Sequence, residues 1–164
     1  MNKILIIDPG KGWGQFVSKM YCYQKLANHF NSKIIFLTKK STQAEHYLKS
    51  LYFCQDVLYM DEPKKGIKYI FSNIKSTIKN IKKINEFQIE QCYVFHPSLR
   101  YLFIAHFSNI SEIWGLGFKF QNFFLKKNKR FYSSFFSKSK GDDEALEAVK
   151  KITNSQKIDY QPLS

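Results

Sequence analysis

The architecture is set near the N-terminus, where the apolar run Ile4-Leu5-Ile6-Ile7 follows Lys3 and passes directly into Asp8-Pro9-Gly10-Lys11-Gly12-Trp13-Gly14. A strand with one wet face alternates apolar and polar residues. A strand that does not alternate is covered on both faces, as in a parallel sheet packed between helices. A glycine-rich loop immediately after such a strand, leading into a helical pattern, is the opening of a β-α-β unit.

The rest of the chain repeats the unit. A helical pattern over about 15–30 carries Phe16, Met20, Tyr23, Leu26, Ala27 and Phe30 at spacings of three and four. Lys33 to Leu37 reads as a second buried strand. Ser41 and Thr42 are placed to cap a helix bearing Ala44, Tyr47, Leu48 and Leu51, and Val57 to Met60 is a short third strand. Asp61-Glu62-Pro63 is expected to open a long helix with Ile67, Ile70, Phe71, Ile74, Ile78 and Ile81 in one apolar stripe and lysines over much of the remainder. Gln91 to Phe95 is the fourth strand, followed by a helix over about 99–107, and Ile110 to Trp114 the fifth, ending in Gly115-Leu116-Gly117. Alternation of this kind implies right-handed crossovers and a parallel sheet. The expected fold is α/β: a Rossmann-like three-layer sandwich with a parallel sheet of about five strands. The segment 118–140 is aromatic and basic without an acid, and a last helix begins near Gly141-Asp142-Asp143-Glu144.

Composition limits function. Hydrophobic residues at 44% and charged residues at 24% describe a globular chain, and no apolar run approaches the ~20 residues of a membrane span. The N-terminus lacks the small-residue cleavage site of a signal peptide, so a cytoplasmic location is expected. Cys22, Cys54 and Cys92 are odd in number and widely spaced, which argues for reduced thiols. His29, His46, His96 and His106 share no metal-ligand spacing with them, so no metal and no cofactor is expected. The net charge of +13 suggests an anionic partner, yet of 26 basic residues only Arg100 and Arg130 are arginine. Groove readers and phosphate clamps lean on arginine forks, so nucleic acid is not the expected partner. The lysines of 64–83 and 119–140 could rest on an anionic membrane surface, with a solvated helix face as the plainer account.

Ligands of parallel α/β sheets sit outside the carboxyl ends of the strands, and helix N-termini there favour anions. The loop from Asp8 to Gln15 occupies such an end. Gly10, Gly12 and Gly14 would let a backbone approach a ligand, with Trp13 available to stack on a sugar face. The spacing is G-x-G-x-G rather than a dinucleotide or P-loop fingerprint. No acid ends the second strand, where Thr38-Lys39-Lys40 stands instead, which disfavours a nicotinamide site. A ligand-free tight turn is the plainer account. His96 and Arg100, after the fourth strand, are candidates for holding acceptor phosphates or acidic sugars; otherwise His96 caps its turn and Arg100 decorates a helix.

Taken in order, these segments resemble the heptosyltransferase family (glycosyltransferase family 9). The likeness lies in Ile4-Leu5-Ile6-Ile7 with its glycine loop and Gly14-Gln15, in His96-Pro97-Ser98-Leu99-Arg100, in Ile113-Trp114-Gly115-Leu116-Gly117-Phe118, and in Asp159-Tyr160-Gln161-Pro162. The resemblance implies one half of a GT-B-type fold: a Rossmann-like acceptor-side domain over 1–140, then a helix and tail over 141–164 like the linker to a donor-binding domain. It implies transfer of a heptose-like sugar from a nucleotide-sugar donor to lipopolysaccharide or another lipid-linked envelope glycan. By the same likeness Gln15 stands where the family carries its aspartate base. An amide takes no proton near neutral pH, and Asp8 is the nearest carboxylate. Because the resemblance puts the donor site on a second domain, the chain alone is expected not to transfer sugar. The alternative is a non-catalytic domain that binds an anion or glycan.

Overall fold

The computed structural model describes residues 3–10, 12–62, 64–96, 98–117 and 132–133, and farther along Leu146, Val149, Lys150 and Thr153. The elements run β1 (Lys3–Ile7), α1 (Trp13–His29), β2 (Lys33–Lys39), α2 (Glu45–Ser50), β3 (Cys54–Met60), α3 (Ile70–Asn85), β4 (Gln91–Val94), α4 (Leu99–Phe107), β5 (Glu112–Gly117) and β6 (Tyr132–Ser133). Short 3-10 turns at Lys40–Thr42 and Ile67–Tyr69 precede α2 and α3.

All strand pairs are parallel and the order is β3-β2-β1-β4-β5-β6. β1 is central, with Leu5 flanked by Ile35 of β2 and Cys92 of β4. The chain builds outward from β1 to β3, then returns to place β4 on the other side of β1. The sheet is thus the expected five-stranded one with a two-residue strand added at its edge.

The strand period of two divides the core. Ile4, Ile6, Ile34 and Phe36 point to the layer of α1 and α2, where they meet Phe16, Tyr23, Leu26 and Leu48. Tyr23 packs edge-on against Phe36 and Phe95, with ring centroids 5.3 and 5.7 Å apart. Leu5, Ile7, Ile35 and Leu37 point the other way, to Ile84 of α3 and Leu102, Ile104 and Ala105 of α4. Both faces of β1 are covered, which is why its sequence does not alternate. Val149 is buried in the α1 layer and Leu146 packs against it, both helical, as are Lys150 and Thr153; the other residues of the expected last helix and most of 118–140 lie outside the described residues.

Several boundaries move for local reasons. Ser41 and Thr42 do not cap α2: they sit in a 3-10 turn, where the Thr42 hydroxyl donates to the Lys39 carbonyl at 2.7 Å, and α2 starts after Ala44. β5 runs three residues past Trp114, so Gly115-Leu116-Gly117 is strand rather than loop. The long helix begins at Ile70 rather than at Asp61–Pro63. The chain before it is tied back instead, because the Asn73 amide both donates to and accepts from the Lys64 main chain and the Ser76 hydroxyl donates to the Asp61 carboxylate.

α3 also turns its stripe outward. Asn73, Ser76, Thr77 and Asn80 occupy its inner side, and Asn80 is buried. Ile67 and Phe71 are each 86% exposed, and Ile70, Ile74 and Ile78 about half. Ile70, Ile74 and Ile78, together with Phe103 and Phe107 of α4, border an apolar groove of about 830 Å³.

Candidate functional site

The strand order puts a crevice at the carboxyl end of the sheet, between the loop after β1 and the loop after β4. This is where the chain reverses its direction of growth, the position at which open α/β sheets take ligands. Main-chain bonds extend both flanks of β1 to this point: the Asp8 N–H donates to the Leu37 carbonyl at 3.1 Å, and the Phe95 N–H to the Ile7 carbonyl at 3.0 Å. The glycine loop and the His96 turn, 80 and more residues apart in sequence, are brought together here.

Asp8 is 2% exposed and is held by three hydrogen bonds among the described residues. Its Oδ1 accepts from the Gly10 N–H at 3.1 Å; its Oδ2 accepts from Lys19 Nζ at 2.7 Å and from the Tyr23 hydroxyl at 2.6 Å. Lys19 is itself 6% exposed, so the pair is a buried salt bridge. Burying two charges is tolerated when both are paired and the remaining lone pairs are satisfied, as here. The carboxylate therefore fastens the start of the loop to α1 at its second and third turns. At 2% exposure and with three donors on it, the carboxylate serves as an anchor and is poorly placed to take a proton from a substrate hydroxyl.

Above this anchor the loop is shaped for approach. Gly10 has φ +24°, the left-handed side of the map that glycine occupies without penalty. Gly12 is the cap of α1, extended at φ 178° and supplying no side chain, and the first turn of α1 carries no acid. A Cβ built on Gly12 or Gly14 would meet nothing within 4 Å. Neither glycine is needed for packing, and their surface is open at the helix N-terminus. The side chains of Trp13 and Gln15, along with Lys11, lie outside the described residues.

On the other side of the crevice, His96 Nδ1 accepts from the Ser98 N–H at 3.1 Å, and its ring meets Tyr101 edge-on at 5.1 Å. This is the turn-capping arrangement. Tyr101 has its phenol pushed up by burial, a tendency opposed by the Arg100 charge and reinforced by Glu62 and Asp8. Arg100 turns away from the glycine loop: its Nη2 donates to the Asp61 carbonyl at 3.1 Å, while Nε and Nη1 are buried with no partner among the described residues. It borders the α3–α4 groove. Trp114 sits mid-strand opposite Tyr93, packs against the α1-side core and donates to Glu112 at 2.9 Å.

The structure brings Asp8, the three glycines and His96, all candidates from the sequence, to one end of the sheet, and turns Arg100, expected to act with His96, toward Asp61 instead. The sequence reading missed Lys19 and Tyr23. The signal was present, since Lys19 interrupts the apolar face at three residues from Phe16 and four from Tyr23, where a cation needs a buried partner. The described residues hold no cluster of three histidine, cysteine or acidic side chains. Cys54 makes a poor nucleophile, because burial pushes its thiol up to about 11.

No family model matches the sequence, and no curated protein does. Solved structures share its fold. The glycosyl transferase family 9 protein from Veillonella parvula aligns over 94% of this chain and 42% of its own, at TM-score 0.73 and 14% identity. Escherichia coli heptosyltransferase WaaC, with ADP-2-deoxy-2-fluoro heptose, aligns over 97% of this chain and 50% of its own, at TM-score 0.65 and 8% identity. Acinetobacter baumannii MurG aligns over 85% and 44%, at TM-score 0.53 and 12% identity. The fold is therefore that of one half of a GT-B glycosyltransferase, Rossmann-like and heptosyltransferase-like, and the chain spans half or less of each of these proteins.

Proposed function

We propose that this chain is the acceptor-side domain of a glycosyltransferase that moves a heptose-like sugar from a nucleotide-sugar to a lipid-linked envelope glycan such as lipopolysaccharide, working at the cytoplasmic side. The observation that carries the reading is the crevice between β1 and β4. It joins an uncapped helix N-terminus, two glycines with open space above them and a buried carboxylate anchor in a fold shared with sugar-transferring enzymes.

In this reading the loop from Pro9 to Gln15 receives the acceptor. Backbone N–H groups at the start of α1 face its phosphate or carboxylate groups, and the helix dipole favours them. Asp8 holds the loop through Lys19 and Tyr23. Gln15 donates to or accepts from a sugar hydroxyl but does not deprotonate it. Trp13 offers a ring to the sugar, and His96 shapes the opposite wall. The donor nucleotide is bound by a second domain, so residues 1–164 alone fold without transferring sugar. The second reading, a domain that binds glycan and catalyses nothing, is favoured by the glutamine at the position of the base.

Gly12→Trp and Gly14→Trp test the site. Open space at both positions predicts an unchanged circular dichroism spectrum, with loss of binding to a phosphorylated inner-core oligosaccharide measured by calorimetry. Binding that survives both changes removes the loop from the acceptor site. Nucleotide-sugar turnover by the unaltered chain would overturn the division between two domains.

A further inference from the structure

We infer that the groove between α3 and α4 is a docking surface for an anionic lipid bilayer, entered by apolar side chains and bordered by lysines. The inference rests on the orientation of α3 and stands independently of the glycosyltransferase reading.

A helix folded onto a sheet ordinarily buries its apolar stripe and exposes its polar one. In α3 the last turn obeys, with Ile84 buried and Ile81 packed against the core. The three turns before it do the reverse. Asn73, Thr77 and Asn80, at spacings of four and three, lie on the side toward the protein, and the Asn80 amide nitrogen is buried there without a partner among the described residues. Turning the helix about its axis would bury Ile70, Ile74 and Ile78 and hydrate Asn80. The observed orientation forgoes both gains, which is the pattern of a helix whose apolar face meets a second apolar phase. α4 continues the surface with Phe103 and Phe107, whose rings stand 6.1 Å apart, and Phe107 is 65% exposed.

Charge identifies the partner. Neither α3 nor α4 contains an acidic residue, while α3 carries Lys75, Lys79, Lys82 and Lys83. Lys68, Lys75 and Lys82 recur every seven residues, which by helical geometry forms a row along the outer border of the apolar face. Lys64 and Lys68 stand over the Tyr69 ring, 5.5 and 5.1 Å from its centroid, at the end of the groove nearest the carboxyl edge of the sheet. A second copy of the chain would bring like charges together. An anionic bilayer offers hydrocarbon to the isoleucines and phenylalanines and phosphates to the lysines, as for helices lying in the interfacial plane. The groove begins at the edge that holds the crevice, so a domain docked this way brings its crevice to the membrane surface.

The test is co-sedimentation of the 164-residue chain with vesicles of phosphatidylcholine alone or mixed with phosphatidylglycerol, at low and high salt. The expected result is preference for the anionic vesicles, with a fraction of binding that survives high salt because it comes from insertion. Ile74→Asp/Ile78→Asp leaves every lysine in place and alters only exposed positions. It should keep the circular dichroism spectrum and lower anionic-vesicle affinity by about tenfold or more. Lys75→Glu/Lys82→Glu should remove the salt-sensitive part of binding. Equal binding to both vesicle types, or unchanged binding by the isoleucine variant, overturns the inference. A concentration-dependent dimer in analytical ultracentrifugation, abolished by Ile74→Asp/Ile78→Asp, assigns the face to a second copy instead. Acceptor binding to the Gly12→Trp variant reads the crevice separately, so failure of one surface leaves the other standing.

Discussion

α1 and α3 cross the same sheet on opposite faces, carry apolar residues at the same spacings and have nearly equal length, yet they are turned in opposite directions. α1 buries Phe16, Met20, Tyr23 and Leu26 and presents polar residues outward. α3 keeps Asn80 inside and shows Ile74 and Phe71 to the outside. Periodicity reports that a helix has two unlike sides. It does not report which side the rest of the molecule takes.

Truncating a ring on each helix is the strongest way to break this contrast. Phe16→Ala removes a fully buried ring from a cluster with Tyr23 and Phe36, and should cost about 3–5 kcal/mol of unfolding free energy. Phe71→Ala removes the same ring from an exposed site and should change stability by no more than about 0.5 kcal/mol. Urea denaturation of both variants measures the pair. A large loss at Phe71 would mean that α3 buries its stripe in solution.

Buried polar groups sharpen the contrast at a smaller scale. On the α1 side Lys19 has a partner, and Lys19→Met should cost about 3 kcal/mol by leaving the Asp8 carboxylate with neutral donors only. On the α3 side the Asn80 amide nitrogen has none among the described residues, and Asn80→Leu should raise stability by about 1 kcal/mol. Thermal unfolding separates the two, since the midpoints should move in opposite directions. A destabilised Asn80→Leu would show that the inner side of α3 is wet.

The smallest expected effect is a pH dependence. Glu45 of α2 accepts from Lys49 at 2.6 Å and from the Tyr59 hydroxyl of β3 at 2.7 Å. The Lys49 bond foremost, then the Tyr59 bond, holds its carboxyl below the ordinary 4.5. A depressed folded value means that the stabilisation is complete above the unfolded value of 4.5 and is lost as pH falls through the lower folded one. Glu45→Gln should therefore narrow the difference in urea midpoint between about pH 7 and about pH 3 slightly, as suits an exposed pair. A midpoint difference unchanged by the substitution would remove this bond from the account.

What the sequence disclosed follows from these contrasts. β1, β2 and β4 were legible because burial on both faces leaves continuous apolar runs, and the placement of the glycine loop and His96 beside one another followed from the alternation of elements. The orientation of α3 was not legible, because Ile70 and Ile78 recur in the same rhythm whether they meet a sheet, a bilayer or water. The start of α3 was misread for a related reason: acids and proline at 61–63 satisfy a helix N-terminus in general, but here Asn73 and Ser76 reach back to fasten that stretch as a loop. The partners of Asp8 were hidden by their distance along the chain, although a lysine within an apolar stripe marked one of them. Arg100 shared a turn with His96 in sequence, and only the packing of α4 beside α3 shows that the two side chains part.

The strand order also carries a history of assembly. A chain synthesised from its N-terminus exposes β1, then β2, then β3, and each can pair with a neighbour already made, through connections of ordinary length. β4 is different: it must return past everything built so far to meet β1, with Ile4 opposite Gln91. Contacts between such distant residues carry the largest loop-closure cost and form late. Until β4 arrives, one side of β1 is an open edge of Ile4-Leu5-Ile6-Ile7, a segment apt to pair with other chains. The arrival that covers this edge also creates the crevice. The crevice and protection from misassembly are thus completed in a single late step.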